Sequence, residues 1–330
     1  MKHAKKNNRN KRRKTSKNKK AKYAKFLSKI RSEINTQESK LKPFEVIVLA
    51  TMSSGKSTLI NALIGHELLP ASNEACTSRV FKIEDLDVQK NFTARLELES
   101  EKTGWIDVTP EHLMELNNSS EKGMIHIRGD IPSIENFDKQ LVLFDTPGPN
   151  NSQDKSHGEL TKQILNDGKS GLIIYLLNAT QIGVDDDAQL LSMVEEAFGQ
   201  SNNHKDIVFV LNKADQFDEE DGESLKGIVS SVSNYVEKHG FNTPIVIPVS
   251  AHAALLARKR SNNLPLTRKE NRAFENYLDH VDEGFPDIGR YAKSVDSISF
   301  DLEAASDEEK VIYYSGILIL EKLLENKVKN

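Results

Sequence analysis

Residues 50–58 read Ala50-Thr51-Met52-Ser53-Ser54-Gly55-Lys56-Ser57-Thr58, directly after the apolar run Phe44–Ala50. That run has the composition of a strand. The Leu59-Ile60-Asn61-Ala62-Leu63-Ile64 segment behind it has that of a helix, so the order is strand, phosphate loop, helix. Backbone N–H groups of Ser54, Gly55, Lys56, Ser57 and Thr58, at the positive end of the helix, suit phosphate. In such a loop Lys56 reaches the β- and γ-oxygens and Ser57 offers its hydroxyl to Mg²⁺. Ala50 stands where the pattern usually carries glycine, and we read alanine as tolerated there.

Outward from this loop, short β-rich runs alternate with polar helical stretches. The predicted strands are Phe44–Ala50, Val80–Ile83, Phe92–Leu98, Met124–Arg128, Leu141–Phe144, Gly171–Leu177, Ile207–Leu211 and Ile245–Pro248. The pattern is that of an α/β fold of P-loop type, a mostly parallel sheet with helices on both faces. Flanking helices are expected at both ends. In the leading one, Tyr23, Phe26, Leu27, Ile30 and Ile34 recur at helical spacing, and Pro43 ends it. Near the other end Val311, Ile312, Leu318, Leu320, Leu323 and Leu324 mark a buried helix. The chain divides into a basic tail (1–20), a leading helix (21–43), an α/β domain (44–260) and a C-terminal helical part (261–330).

Three further motifs follow in chain order. Thr77, in a polar loop after the first helix, suits a switch threonine that completes a Mg²⁺ shell. Alone it reads as a turn residue. The strand Leu141-Val142-Leu143-Phe144 ends in Asp145-Thr146-Pro147-Gly148. There Asp145 holds Mg²⁺ through water, and the Gly148 N–H approaches the γ-phosphate. Without a phosphate loop upstream this is an ordinary Pro-Gly turn. The strand Ile207–Leu211 then ends in Asn212-Lys213-Ala214-Asp215. A carboxylate at Asp215 accepts both N1–H and the exocyclic amine of guanine, and adenine offers no donor at the first position. Asn212 braces the loops, and the stem of Lys213 lies along the base. Last, Val249-Ser250-Ala251 follows the strand at 245–248, where the N–H groups of Ser250 and Ala251 can meet the guanine carbonyl. The ligand that satisfies all of these together is GTP or GDP.

Composition narrows the setting. One cysteine, Cys76, excludes an internal disulfide framework and fits a reducing, cytoplasmic compartment. The apolar runs 171–177 and 311–320 are too short to span a bilayer, and no apolar segment follows the basic start as in a secretory signal. The net charge of −4 hides an asymmetry. Residues 1–32 carry 11 Lys and 4 Arg without an acid, and the remainder holds 30 basic against 49 acidic residues. Such a tail is either solvated or a polyanion-binding arm for anionic membrane or nucleic acid, at a membrane or nucleoid periphery. The run Asp185-Asp186-Asp187 reads as a solvated helix start, Trp105 as packing, and His252 as a capping or surface residue.

These motifs resemble the dynamin superfamily of large GTPases, above all its bacterial members. Ser53 to Gly65, Leu68-Leu69-Pro70, Cys76-Thr77-Ser78-Arg79 and Leu141 to Asn150 carry the resemblance. So does the long insertion between Thr77 and Asp145. The reading through Asp145-Thr146-Pro147-Gly148-Pro149-Asn150 is similar to bacterial dynamin-like proteins, including a replication-clamp-binding type. The resemblance implies a G domain over 44–260 and GTP hydrolysis with Mg²⁺ and a monovalent cation, K⁺ or Na⁺. It also implies nucleotide-dependent homodimers that pair across the nucleotide face. It implies catalytic roles for Ser53 (cation), Lys56 (charge neutralisation), Thr77 (water and Mg²⁺) and Gly148. Met52 departs from the polar residue that several relatives carry, which motivates a competing expectation of a GTP-gated scaffold with little turnover. A second competing expectation is a ribosome- or RNA-associated GTPase using its basic arm. About 60 helical residues after Arg260 are too few for a dynamin stalk, so a stalk-bearing partner or a missing C-terminal region is expected, with residues 261–330 completing the G domain or starting a bundle.

Overall fold

The structure, a computed structural model, describes residues 41–70, 79–87, 89–98, 102–118, 123–146, 171–183, 185–198, 207–217, 224–284, 287–292, 295 and 298–329. The chain divides into two units, Met1–Lys42 and Pro43–Asn330. The basic tail and nearly all of the leading helix lie outside the described residues, as do Cys76, Thr77 and Gly148.

The described strands are β1 (Lys42–Ala50), β2 (Phe81–Asp85), β3 (Thr93–Glu97), β4 (Ile106–Asp107), β5 (Met124–Gly129), β6 (Lys139–Asp145), β7 (Leu172–Asn178), β8 (Ile207–Asn212) and β9 (Ile245–Val249). The described helices are α1 (Lys56–Ile64), α2 (Pro110–Asn118), α3 (Asp185–Phe198), α4 (Leu225–Lys238), α5 (Ala251–Ser261), α6 (Arg268–Asp282), α7 (Asp307–Tyr314) and α8 (Ile317–Lys329). The strands make one sheet in the order β4-β3-β5-β2-β6-β1-β7-β8-β9.

Strands β1, β7, β8 and β9 run parallel, with Ala50 beside Leu176, Asn178 beside Asn212 and Asn212 beside Val249. Their C-terminal ends therefore line up along one edge, where ligands bind in open α/β sheets. The other half of the sheet is mixed. β2 pairs with β5 in parallel but with β6 antiparallel, and β3 is antiparallel to β4 and β5. The link between β3 and β4 is too short for a crossover, so those neighbours turn back on each other.

Side chains of β1 alternate between two cores. Val46, Val48 and Ala50 face the core that holds Leu59, Leu63, Ala254, Leu320 and Leu324 of α1, α5 and α8. Ile47 and Leu49 face Leu190, Leu191, Val194, Val229 and Val232 of α3 and α4. Both faces of the parallel half are thus covered, which explains why its strands read as continuous apolar runs. A third cluster joins α5 to α6 and α7 through Ala253, Leu256, Ala257, Phe274 and Val311.

The closing helix α8 enters through Gly316, whose φ is +75°. A Cβ at that position would lie 2.5 Å from the Pro248 carbonyl oxygen. Beside it the Ser250 N–H donates to the Ser315 carbonyl at 2.8 Å. The C-terminal helices are in this way pinned to the end of β9. In the acidic run at 185–187, Asp185 and Asp186 are exposed at a helix start, as the solvated reading has it, and Asp187 departs from it. Asp187 is buried and accepts the Tyr175 hydroxyl at 2.8 Å, because the first turn of α3 lies against β7.

Candidate functional site

Four strand ends build the site. β1 runs into the loop 51–55, which enters α1 through Gly55. Ala50 is still a paired strand residue, 2% exposed, so its position needs little bulk rather than a left-handed backbone. The left-handed conformations fall later, at Ser53 (φ 64°) and Gly55 (φ 88°). Ser54 is buried, and its hydroxyl lies 2.9 Å from that of Thr51. Ser57 and Thr58 occupy the first turn of α1, half-buried. Gly55 caps α1 without a side-chain hydrogen bond, and the first turn carries no acid. Its N–H groups and the helix dipole thus suit an anion.

Lys56 ion-pairs with Asp145 Oδ1. Asp145 ends β6, fully buried, and the neighbouring Thr146 hydroxyl donates to the Val48 carbonyl at 3.0 Å, tying this corner to β1. Burial pushes the Asp145 carboxyl up, and the Lys56 ammonium pulls it down. Among the described residues Asp145 Oδ2 is buried without a hydrogen-bond partner. A buried carboxylate oxygen with spare acceptor capacity, paired to Lys56 whose neighbour in the first turn of α1 is the hydroxyl-bearing Ser57, is a hard-oxygen donor set that fits Mg²⁺.

Asn212 joins the phosphate loop to the end of β9. Its amide donates to the Ser54 carbonyl at 2.8 Å, and its Oδ1 accepts the Ala251 N–H at 3.0 Å. Gly55 is required twice, since a Cβ there would sit 2.3 Å from Asn212 Nδ2 in addition to the positive φ. Lys213 follows with φ 64° and leads into a short 3₁₀ turn, Ala214–Gln216, that displays Asp215 half-buried.

The backbone at Ser250 and Ala251 departs from the sequence reading. Both N–H groups that were expected to face the base have protein partners: Ser250 donates to Ser315, and Ala251 donates to Asn212. The cause is that Ser250 is the N-cap of α5, with its own hydroxyl accepting the Ala253 N–H at 3.3 Å.

Lys56 and Asp145 thus meet directly, and Asn212 bridges Ser54 to Ala251. Sequence reasoning missed Tyr277 of α6, whose hydroxyl donates to Asp215 Oδ2 at 3.2 Å and lies 3.0 Å from His252 Nδ1. A tyrosine 62 residues downstream on an amphipathic helix has no local signal that ties it to Asp215.

A model of the dynamin family matches residues 46–214, just over half of the chain. The chain belongs to the dynamin family. This places it among the GTPases and makes the sheet described above a dynamin-type GTPase domain. Solved structures share the fold. Two chains from structures described as an oligomerised bacterial dynamin pair, with a mechanism for long-range sensing and tethering of membranes, superpose with TM-scores of 0.50. They are 18% and 17% identical and cover 77% and 92% of this chain. The chain spans only 40% and 52% of their length. A protein of Caldicellulosiruptor sp. (strain Rt8B.4), described as an uncharacterized protein in the xynA 3′ region, is 24% identical over 317 residues, 91% of this chain and 75% of that protein. No helix among the described residues is long and apolar enough to cross a membrane.

Proposed function

We propose that this chain binds GTP with Mg²⁺ and hydrolyses it to GDP and phosphate, and that the bound nucleotide controls pairing of two copies. The observation that carries the reading is the Lys56–Asp145 ion pair beneath the uncapped N-terminus of α1, with the second Asp145 oxygen buried and unpartnered among the described residues. Cation, carboxylate and free helix N–H groups are the three things a phosphate-bound divalent ion needs.

Mg²⁺ would be held by Ser57, Asp145 through water, and Thr77, where it would supply charge neutralisation across the β- and γ-phosphates. In the reaction a water oxygen bonds to the γ-phosphorus as the bond to the β–γ bridging oxygen breaks, and GDP leaves. Lys56 trades its carboxylate for phosphate oxygens and neutralises charge there. Ser54, Gly55 and Thr58 cradle the phosphates, Ser53 orders a K⁺ or Na⁺ ion, and Thr77 with the Gly148 N–H orients the water. Asp215 reads guanine, Lys213 lies along the base, and Asn212 holds the two loops together. With the Ala251 N–H already bonded to Asn212, base choice rests on Asp215. Residues 44–260 form the G domain, and α8 completes it by sharing the core of β1 and α1. The basic tail 1–20 serves as a polyanion arm for anionic membrane or nucleic acid.

The test is nucleotide binding to wild type and Lys56→Ala. Wild type takes GTP and GDP with Mg²⁺, and the variant loses at least tenfold in GTP affinity; equal affinity in both sinks the phosphate-loop assignment. For the base, Asp215→Asn shifts preference from guanine to xanthine nucleotides, and an unchanged preference rejects that role.

One observation favours a second reading. Met52 is 58% exposed at the top of the phosphate loop and offers no polar group to a water. A GTP-gated scaffold with little turnover follows if single-turnover hydrolysis stays at the solution rate with K⁺ and at raised protein concentration.

A further inference from the structure

The sheet edge remote from the phosphate loop holds a second group of acids. Asp85 closes β2, Asp87 lies in the turn behind it, and Asp130 follows β5. β2 and β5 run parallel with Asp85 beside Gly129, so the two exits are neighbours. β2 pairs antiparallel with β6, with Phe81 opposite Asp145. Four residues of strand therefore put Asp85 about 13 Å from the level of Asp145.

One carboxylate oxygen from each of Asp85, Asp87 and Asp130 lies within 4.8 Å of the other two. Asp85 is fully buried. Its Oδ1 accepts the Ile131 N–H at 2.9 Å, and its Oδ2 is buried without a partner among the described residues. Asp87 and Asp130 are half-buried, which leaves the group open to solvent on one side. Among the described residues none of the three acids forms an ion pair with a lysine or arginine.

The backbone around them is held firmly. Asn136 donates to Asp87 Oδ1 at 2.7 Å and to the Asp85 carbonyl at 3.3 Å, and Gln140 reaches that carbonyl at 3.1 Å. The Asp130 N–H donates to the Gln89 carbonyl at 2.9 Å, and Leu86 to Gly129 at 2.9 Å. Three acidic oxygens thus lie around one point and repel one another, and the Lys90 charge acts on Asp130 without forming an ion pair with it.

We propose that Asp85, Asp87 and Asp130 bind a divalent cation of calcium size at the edge of the sheet, separate from the nucleotide pocket. The ligand set selects the ion: calcium accepts irregular ligation by several protein carboxylates, whereas magnesium demands near-ideal octahedral geometry and keeps most of its waters, with one or two carboxylates. All-carboxylate oxygen donors favour a hard cation, and the orphaned Asp85 oxygen gains a partner when one binds. The ion would lock the exits of β2 and β5 together.

The experiment uses the full chain, stripped with a chelator and without nucleotide. Calcium chloride is titrated in while the melting temperature and, by calorimetry, the binding stoichiometry are followed, with magnesium chloride in a parallel arm. The expected result is one saturable calcium site per chain that raises the melting temperature by several degrees, with magnesium weaker. Asp87→Asn and Asp130→Asn, both at half-buried positions, each lose the calcium response, and Asp145→Asn keeps it. A wild type that does not respond to calcium overturns the proposal, as does a response that survives in both Asp87→Asn and Asp130→Asn. A response abolished by Asp145→Asn instead assigns the ion to the nucleotide pocket and overturns it equally.

Discussion

Tyr277 donates its hydroxyl to Asp215 Oδ2 at 3.2 Å, so a helix beyond the matched family region holds the carboxylate we propose for reading the base. Burial and the Asp215 charge both push the Tyr277 hydroxyl up, which keeps it protonated and able to donate. Tyr277→Phe removes one donor and lets the carboxylate rotate. Affinity for GDP is expected to fall about five- to tenfold, the worth of roughly 1 kcal/mol of hydrogen bonding. A fluorescent-GDP titration checks this, and an unchanged dissociation constant refutes the positioning role.

The contact between Gly55 and Asn212 predicts a large effect from a small change. Gly55→Ala places a methyl group 2.3 Å from Asn212 Nδ2 and forces alanine to φ 88°. The cost is on the order of 1–3 kcal/mol from the backbone, with the displaced amide in addition. Gly65→Ala is the control. Its φ is +77° but its nearest neighbour, Asn262 Nδ2, stands at 3.2 Å. Urea unfolding should show a clearly larger loss for Gly55→Ala than for Gly65→Ala.

Asn212→Ala leaves the Ser54 carbonyl and the Ala251 N–H without their partner. Each unsatisfied buried group costs about 1–3 kcal/mol. Thermal denaturation should therefore show a drop of several degrees without nucleotide. Asn212→Asp keeps an acceptor for Ala251 and loses the donor to Ser54, so an intermediate drop is expected. Equal stability of all three proteins would remove Asn212 as a brace.

Lys259 and Glu270 tie α5 to α6 at 2.5 Å, and Glu270 also closes the capping box with Thr267. Burial alone would raise Glu270, but Lys259 and Thr267 outweigh it and hold the carboxyl at about 2. A depressed carboxyl stabilises the fold above its unfolded value near 4.5 and loses that contribution as pH falls through about 2. Glu270→Gln should therefore cost about 1–3 kcal/mol at neutral pH, and the gap to wild type should close between pH 4.5 and 2. Chemical denaturation at pH 7, 4 and 2.5 measures it.

The parallel strands were legible because each is buried on both faces and reads as an unbroken apolar run such as Leu172–Asn178 or Ile207–Asn212. β4 was not, since its two residues are exposed and carry no pattern. Asp187 was misread for a related reason. Three acids at a helix start look solvated until the tyrosine that reaches one of them, ten residues or more upstream, is placed by the fold. The phosphate loop, Asp145 and Asp215 stood out because each sits at a strand end within a few residues of its motif partners.

What the sequence alone determined is local: where the strands stop and which polar residues stand at those ends. Such properties depend on side chains a few positions apart. The tertiary structure decided which ends meet. It closed Lys56 onto Asp145 across 89 residues, occupied the Ser250 and Ala251 N–H groups, and brought Tyr277 to Asp215. Those contacts form only once the sheet order and the docking of α6 and α8 are set, and no short-range spacing encodes them.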